Sequence, residues 1–253
     1  MTVRGDTGIH RRRPGALSYG ARWGVLMLDF DSPFVPGDMG NAATYDGPAL
    51  FQRVEGLTVP AILADVDGRH TPAVVAAARA LVTQGAPAVT SNCGFMLRYQ
   101  NAVAAALGSV PVLLSSLLQL PMLTAMTAPD RCVGIVTADE RVLTPSLLDE
   151  LLPGTGARLQ IVGLQNSPSF RATMFDGDDE LDADAIRGEV VATVARLFDN
   201  GPAPAAVLLE CAALPAYAAA IQQRWPGLPV HDATTLTGLV SRAAQRTPFL
   251  GFC

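Results

Sequence analysis

The chain has 253 residues, of which 49% are hydrophobic and 16% charged, which excludes a largely disordered protein and suffices for one large α/β domain or two lobes. All 18 basic residues are arginine, so the chain has no lysine for a pyridoxal-phosphate enzyme or a P-loop NTPase. A net charge of -5 argues against a nucleic-acid partner, because nucleic-acid-binding surfaces are basic.

Residues 1–22 are rich in Gly, Pro and Arg and show no apolar periodicity, which predicts a flexible N-terminal extension. Its arginines are not followed by the apolar segment of a signal peptide. No segment of the chain approaches the roughly 20 apolar residues of a membrane span. Four cysteines without close pairing favour reduced thiols. We therefore expect a soluble, cytoplasmic protein without a membrane partner.

Short apolar runs alternate with segments of helical periodicity along the rest of the chain. The runs predict buried parallel strands at residues 24–29, 61–65, 88–91, 110–114, 133–137, 159–164 and 206–209. The helical segments are residues 71–84, 95–107, 144–152, 182–200 and 214–225. This alternation predicts βαβ units and hence an α/β protein with doubly wound parallel sheets.

An internal repeat is the strongest structural signal in the sequence. A shift of 118 residues aligns a strand, a cysteine, a helix and a Pro-Val pair with a second copy of each, and it places Cys93 on Cys211. The repeat predicts two similar lobes related by pseudo-two-fold symmetry, with the active site in the cleft between them. We assign residues 23–118 and 233–253 to lobe 1, which carries Cys93, and residues 119–232 to lobe 2, which carries Cys211.

Both repeated cysteines follow a predicted strand at its carboxyl end, where α/β proteins bind ligands. A helix is predicted just after each cysteine, and a helix N-terminus favours the thiolate. We therefore expect the pKa values of Cys93 and Cys211 to lie below about 8.5, as a catalytic base or nucleophile requires. Cys132 and Cys253 lack this setting, and we interpret them as structural residues.

The two cysteine segments read TSNCGF (residues 90–95) and LECAALP (residues 209–215). They resemble the two cysteine motifs of the aspartate/glutamate racemase superfamily, which includes amino-acid and hydantoin racemases, maleate isomerases and arylmalonate decarboxylases. The resemblance extends from Trp23 to the C-terminus and includes the Asp-Ser pair at residues 31–32. The segment PGDMGN (residues 36–41) is also similar to a loop in one branch of the superfamily, although the same residues favour an ordinary turn.

The resemblance implies a cofactor-independent racemase or epimerase that acts on a small carboxylate-bearing substrate, with an amino acid as the favoured class. The thiolate of one catalytic cysteine would remove the α-proton, and the thiol of the other would return a proton to the opposite face. N–H and hydroxyl groups near the strand ends would bind the substrate carboxylate and stabilise the enolate. The residues expected to contact the substrate are Asp31, Ser32, Asn92, Gly94, Phe95, Ser115, Ser116, Thr137, Glu210 and Ala212. We expect no metal site, because the three histidines show no ligand spacing with the cysteines.

Some positions depart from the glutamate racemase pattern. Cys211 precedes Ala212 and Ala213, where glutamate racemases have Thr-His, and Phe95 adds apolar surface at the first motif. We therefore expect a substrate with one carboxylate and an apolar or neutral remainder. Glu210 is interpreted either as a proton relay or substrate-amine contact, or as a cap of the following helix.

Two further interpretations stay open. The same fold can work with one cysteine, as in a maleate-isomerase-like or decarboxylase-like enzyme. A two-lobed α/β cleft can also belong to a non-catalytic small-molecule binding protein, because fold does not fix function. The sequence leaves open whether the chain forms a homo-oligomer.

Overall fold

The computed structural model describes residues 12–155, 158–199 and 201–244. Within these ranges the chain forms two parallel β-sheets of four strands each, with helices packed against them. Residues 1–11 of the predicted extension and Cys253 lie outside the described residues. Among the helices of the described ranges, none combines the length and the apolar character that crossing a membrane requires.

The first half of the chain builds one sheet. Its strands are β1 (Trp23–Met27), β2 (Ala49–Arg53), β3 (Val89–Ser91) and β4 (Val112–Leu113), in the spatial order β2-β1-β3-β4. Its helices are α1 (Val59–Ala64), α2 (Thr71–Gln84), α3 (Gln100–Leu107) and α4 (Leu120–Met126). Short 3-10 helices precede α3 (Gly94–Tyr99) and α4 (Ser116–Gln119).

The second half builds the other sheet. Its strands are β5 (Val133–Thr137), β6 (Leu159–Gly163), β7 (Ala206–Leu209) and β8 (Val230–His231), in the spatial order β6-β5-β7-β8. Its helices are α5 (Pro145–Leu151), α6 (Pro168–Met174), α7 (Ala183–Asp199), α8 (Ala218–Arg224) and α9 (Ala233–Ala244). A 3-10 helix (Leu214–Tyr217) precedes α8.

The two sheets have the same strand order and the same parallel pairing, so β1, β2, β3 and β4 correspond to β5, β6, β7 and β8. The predicted fold class, two similar parallel-sheet lobes, is therefore confirmed. The helix at residues 71–84 and the strands at residues 133–137 and 206–209 were predicted with the bounds observed. Helices α4, α6 and α9 were not identified from the sequence.

The prediction of a strand at residues 61–65 is wrong, because this segment lies in α1. The side chain of Thr58 caps the helix by accepting a hydrogen bond from the Ala61 N–H, and Pro60 fits the first helical turn. Ile62 is the buried residue of this helix, as expected when one face packs against the core. The strand of this region is β2, whose partly exposed residues lack a continuous apolar run.

Main-chain and side-chain hydrogen bonds join the two lobes. The Ser116 hydroxyl donates to the Leu209 carbonyl (2.8 Å), and the Met39 N–H donates to the Ala212 carbonyl (3.0 Å). Helix α9 belongs to one apolar cluster with Trp23 of the first sheet. The last helix therefore returns from the second sheet to the first. The boundaries assigned to the lobes stay a prediction.

Gly24 and Gly134 occupy the second position of the two central strands, β1 and β5, where a helix packs closely. A Cβ on Gly24 would lie 2.8 Å from Ala86 Cβ and 3.1 Å from Leu81 Cβ. A Cβ on Gly134 would lie 2.6 Å from Leu197 Cδ1, the end of a flexible side chain, and 3.3 Å from Pro204 Cβ. The steric conflict caused by an added Cβ is therefore harder to relieve at Gly24, where the nearest atoms are themselves Cβ atoms.

We expect Gly24→Ala to lower the free energy of unfolding by about 1–3 kcal/mol, and Gly134→Ala to lower it by less. The reason is that the neighbours of Gly24 are Cβ atoms, which move only with the backbone. Urea denaturation of both variants measures the difference. An equal or larger loss for Gly134→Ala would contradict this account of the packing.

Candidate active site

Cys93 and Cys211 lie at equivalent places in the two lobes. Each is the second residue after a central strand, because Asn92 separates Cys93 from β3 and Glu210 separates Cys211 from β7. A 3-10 helix follows each cysteine. Both cysteines line a single cavity between the two lobes. The fold therefore brings together two thiols that are 118 residues apart in the chain.

The cavity between the cysteines is mostly apolar. The space between its walls, including the open mouth, is about 540 Å³. The aromatic residues of its lining are Phe30, Phe34, Phe95, Phe170 and Phe175. Asp38 and Glu210 are its charged lining residues, and none of the described lining residues is Arg or His. Arg98, an arginine close to Cys93 in the chain, does not line it. The cavity therefore offers two acids and no basic side chain.

Burial controls the ionisation of both thiols. It raises the pKa of Cys93 to about 12 and the pKa of Cys211 well above its usual value, and the nearby Glu210 carboxylate raises both further. N–H groups of the residues after each cysteine lower these pKa values but do not offset burial. The expectation of thiol pKa values below about 8.5 is therefore wrong. Both thiols are protonated at neutral pH, and a thiol must lose its proton before it can act as a base.

Glu210 is the buried acid closest in the chain to Cys211, and it packs against Gly94, the residue after Cys93. Its Oε2 accepts a hydrogen bond from the Thr137 hydroxyl (2.8 Å), whereas Oε1 has no hydrogen-bond partner among the described residues. Burial raises the pKa of Glu210 to about 7, although the hydroxyl of Thr137 lowers it. Such a carboxyl gains and loses protons readily at neutral pH.

The side chain of Glu210 does not cap the helix that follows it, because the 3-10 helix after Cys211 has no side-chain cap. Its position instead explains the glycine after Cys93. A Cβ on Gly94 would overlap both the carboxyl group and the main-chain carbonyl of Glu210. Only glycine therefore lets the first cysteine segment approach the second this closely.

Asp38 lines the cavity but was not selected as a site residue from the sequence. It lies in the PGDMGN segment, and its carboxylate accepts a hydrogen bond from the Gly40 N–H (2.6 Å). The residue is 4% exposed, and burial raises its pKa to about 7, although the Gly40 N–H lowers it. The similarity of this segment to a superfamily loop was the signal that could have identified Asp38.

Asn92 supplies a free hydrogen-bond donor to the cavity. Its Oδ1 accepts a hydrogen bond from the Leu28 N–H (2.9 Å), which fixes the orientation of the amide. Its Nδ2 is buried and has no partner among the described residues. Gly94 and Phe95 line the cavity with it. These three predicted contacts are therefore brought together with both cysteines.

Other predicted contacts are engaged elsewhere. The Thr137 hydroxyl donates to Glu210, and the hydroxyl of Ser116 donates to a main-chain carbonyl. Ser115 caps the 3-10 helix before α4. Together with Ala212, both serines line a second, much smaller cavity behind Cys93.

The Asp-Ser pair after the first strand does not reach the cavity lining. The carboxylate of Asp31 lies on the surface, where it accepts a hydrogen bond from Arg53 (2.6 Å). The hydroxyl of Ser32 is buried and has no partner among the described residues. Phe30 and Phe34, on either side of the pair, line the cavity, whereas Asp31 and Ser32 are not among its lining residues.

Helix α1 forms one wall of the cavity through Val59, Ile62 and Leu63, in the region where a strand was predicted. Asp65, the residue after this helix, is buried and accepts hydrogen bonds from the Tyr99 hydroxyl (2.6 Å) and from His70. Tyr99 ends the 3-10 helix that begins after Cys93. The Asp65 carboxylate therefore holds the α1 wall against the segment that carries the first thiol.

We expect Asp38→Asn to be more stable than the wild type at alkaline pH. The folded protein keeps a proton on Asp38 up to about pH 7, whereas the usual pKa is 3.8. The stability that this proton contributes is present below the unfolded pKa and is lost as the pH rises through the folded one. The variant should therefore gain about 1–3 kcal/mol at about pH 8 and little at about pH 4.

Urea denaturation across this pH range measures the gain, with Asp31→Asn as a control because Asp31 is exposed. Equal stabilities of Asp38→Asn and the wild type at all pH values would show that the Asp38 carboxyl is not desolvated.

No family model matches the chain. Among curated proteins it is similar to dimethylsulfoniopropionate lyase 7 of Emiliania huxleyi (strain CCMP1516), with 30% identity over 238 residues, covering 90% of this chain and 68% of that protein. It is 30% identical to dimethylsulfoniopropionate lyase 5 of the same organism over 90% of this chain, but spans only 46% of that longer protein. The dimethylsulfoniopropionate lyase of Durusdinium sp. clade D is 27% identical, and 77% of it is covered.

Solved structures with a similar fold have lower sequence identity. A variant of arylmalonate decarboxylase in a sulfate-associated form has a TM-score of 0.58 at 19% identity, covering 89% of this chain and 94% of that one. Allantoin racemase from Klebsiella pneumoniae has a TM-score of 0.57 at 15% identity, with coverages of 90% and 91%. Glutamate racemase from Francisella tularensis, solved with D-glutamate, has a TM-score of 0.54 at 10% identity, with coverages of 88% and 80%. The predicted resemblance to the racemase superfamily is confirmed at the level of the fold.

Proposed function

The chain belongs to the dimethylsulfoniopropionate lyase family, and from this membership we propose that it is a lyase that releases dimethyl sulfide from dimethylsulfoniopropionate. The predicted racemase or epimerase activity stays a second candidate. Both reactions act on a small carboxylate and begin with removal of the proton on the carbon next to the carboxylate.

The proposed reaction is a β-elimination. A base removes one proton from the α-carbon, the electron pair forms a carbon–carbon double bond, and the bond from the β-carbon to sulfur breaks. The products are acrylate, neutral dimethyl sulfide and one proton held by the protein. No electrons are exchanged with a cofactor. A single base and a cavity that holds the carboxylate and the sulfonium group suffice for this chemistry.

The observation that carries the proposal is that Cys93 and Cys211 face one cavity in which Glu210 adjoins both cysteine segments. A buried thiol with a raised pKa gives a thiolate that is a stronger base than an exposed one, as a weakly acidic C–H bond requires. Glu210 is the group that takes the thiol proton. The positive sulfonium of the bound substrate favours the thiolate and so offsets the effect of burial.

The cavity matches the two ends of the substrate. The free amide N–H groups of Asn92 and the main-chain N–H of Phe95 supply donors for one carboxylate, whereas the N–H of Met96 is bonded to the Cys93 carbonyl. The phenylalanine walls suit the two methyl groups of the sulfonium. The remainder of this substrate is positively charged and methylated, which differs from the apolar or neutral remainder expected from the sequence.

The test is to incubate the purified protein with dimethylsulfoniopropionate and to measure dimethyl sulfide by gas chromatography and acrylate by NMR. We expect both products in equal amounts, without an added cofactor and with no loss of rate after dialysis against a chelator. Cys93→Ala should slow the release of both products by about 10²-fold or more. The matched control is Cys132→Ala, since Cys132 is buried outside the cavity. Absence of both products from the wild type would overturn the proposal.

The second candidate, an amino-acid racemase or epimerase, is favoured by the equivalent positions of the two thiols in the two lobes. Inversion of a carbon needs one acid-base group on each face, whereas elimination needs one base. NMR in deuterated water with a panel of amino acids separates the two functions. Exchange of an α-proton with formation of the opposite enantiomer would support the racemase.

A further inference from the structure

We propose that Asp38 and the rings of Phe30 and Phe34 form a subsite for a small methylated onium cation, which would be the sulfonium group of the substrate. The inference rests on the proposed function, and it adds the residue that selects a charged substrate over a neutral one of the same shape. The cation class includes quaternary ammonium groups, which have the same charge and a similar methylated surface.

The first observation is a buried carboxylate without a cationic partner. Asp38 is 4% exposed, and its side chain accepts a hydrogen bond from the N–H of Gly40. None of the ion pairs found among the described residues involves Asp38, and no basic residue lines the cavity beside it. A buried negative charge of this kind is costly unless a proton or a cation neutralises it. A bound onium ion would supply that partner.

The second observation is that the carboxylate and an aromatic ring belong to one rigid loop. A Cβ on Gly40 would lie 2.7 Å from the ring of Phe34, so the glycine packs directly on the ring while its N–H bonds to Asp38. The ring of Phe30 meets the ring of Phe34 edge to face, with centroids 5.6 Å apart. All three side chains line the cavity.

The loop is fixed on both sides, so the subsite exists before a ligand binds. The Thr44 hydroxyl donates to the carbonyl of Asp38 (2.5 Å) and accepts a hydrogen bond from the Gly37 N–H (2.9 Å). The Met39 N–H is bonded to the second lobe, next to Cys211. Preorganisation of this kind lowers the cost of binding.

Glu210 is a poorer candidate for this role, although it is the other acid of the cavity. Its Oε2 accepts a hydrogen bond from Thr137, and its carboxyl group packs against Gly94 in the first cysteine segment. A methylated onium ion has no N–H or O–H to donate, so charge and apolar contact recognise it together. Asp38 provides both through its loop, whereas Glu210 has no ring on its own segment.

The test compares two ligands of equal shape by isothermal titration calorimetry. One is 3-(trimethylammonio)propanoate, whose trimethylamine is a poor leaving group, and the other is its neutral isostere 4,4-dimethylpentanoate. The wild type should bind the cation at least about tenfold more tightly. Asp38→Asn should lose this preference and keep the affinity for the neutral isostere within about threefold. Asp31→Asn, in the exposed part of the same region, should change neither affinity.

Phe34→Leu provides an independent variant that keeps the carboxylate and removes the ring. It should weaken binding of the cation by about three- to tenfold and leave the neutral isostere unaffected. Equal affinity of the wild type for both ligands, or an equal loss of both in Asp38→Asn, would overturn the subsite. Selective binding of the cation without release of dimethyl sulfide from dimethylsulfoniopropionate would support the subsite and contradict the proposed function. Release of dimethyl sulfide without selective binding of the cation would support the proposed function and contradict the subsite.

Discussion

Alanine at Cys93 or at Cys211 is expected to lower kcat/KM of the lyase reaction by about 10²–10⁴-fold. In the proposed reaction one thiolate takes the α-proton, and the other thiol lines the same cavity from the second lobe. Removal of either group also widens the cavity between the lobes, so the substrate is held less well. Gas chromatography of dimethyl sulfide under single-turnover and steady-state conditions measures both effects.

Cys132→Ala is the matched control for this prediction. The Cys132 thiol is buried at the start of the second sheet and donates to the carbonyl of Pro202 (3.4 Å), away from the cavity. Its replacement should leave the rate within about twofold of the wild type. Wild-type rates for both cavity variants would exclude thiol catalysis. Racemisation of an amino acid by the wild type, lost in both cavity variants, would favour the racemase instead.

The two-lobed fold could be predicted from the repeat, because each repeated strand and helix shows its own short sequence pattern. Residues 133–137 and 206–209 are continuous apolar runs that end at turn-forming or polar residues, and such runs are typical of buried parallel strands. Residues 61–65 form an equally short apolar run but fold as part of a helix. A run of this length fits either element, and the Thr58 cap and Pro60 decide the outcome.

The chemistry of the site was less predictable, because it depends on how the lobes pack. The positions of the thiols at strand ends followed from the repeat, but their pKa values follow from burial between two lobes and from Glu210. Asp38 enters the cavity through a long connection between β1 and β2 that has no periodic pattern. Arg98 is close to Cys93 in the chain but lies outside the cavity, and this too depends on the tertiary packing.

The sequence led to a racemase, and β-elimination was not among the alternatives drawn from it. The reason is chemical: both reactions begin with the same proton transfer, so the same cysteine segments would serve both. They differ in the substrate, which carries a leaving group on the β-carbon in one case and only an α-hydrogen in the other. The residues proposed to bind that part of the substrate are phenylalanines and Asp38, and only the folded chain gathers them around one cavity.

The Glu210→Gln variant is expected to ionise its cavity thiols more easily and yet to be a slower enzyme. The Glu210 charge raises the pKa of both cavity thiols, so the neutral amide should lower those pKa values. The variant also lacks the carboxylate that is proposed to take the thiol proton, and we expect its kcat to fall by about 10²-fold or more. The pH dependence of thiolate absorbance and of alkylation by iodoacetamide measures the first effect, and the lyase assay measures the second. A purely electrostatic Glu210 predicts the opposite sign, because easier ionisation of the thiols would then raise the rate.

The pH dependence of the activity tests whether Glu210 is the proton relay, and the hydrogen bond from Thr137 provides the variant. Activity of the wild type should rise with pH through about 7, where the Glu210 carboxyl loses its proton. The Thr137 hydroxyl lowers the pKa of Glu210, so Thr137→Val should move this rise to higher pH. Burial gives Asp38 a pKa of about 7 as well, but the Thr137 hydroxyl bonds to Glu210 and not to Asp38. A profile that is unchanged in Thr137→Val and shifted in Asp38→Asn would assign the titrating group to Asp38 and remove Glu210 from the proton path.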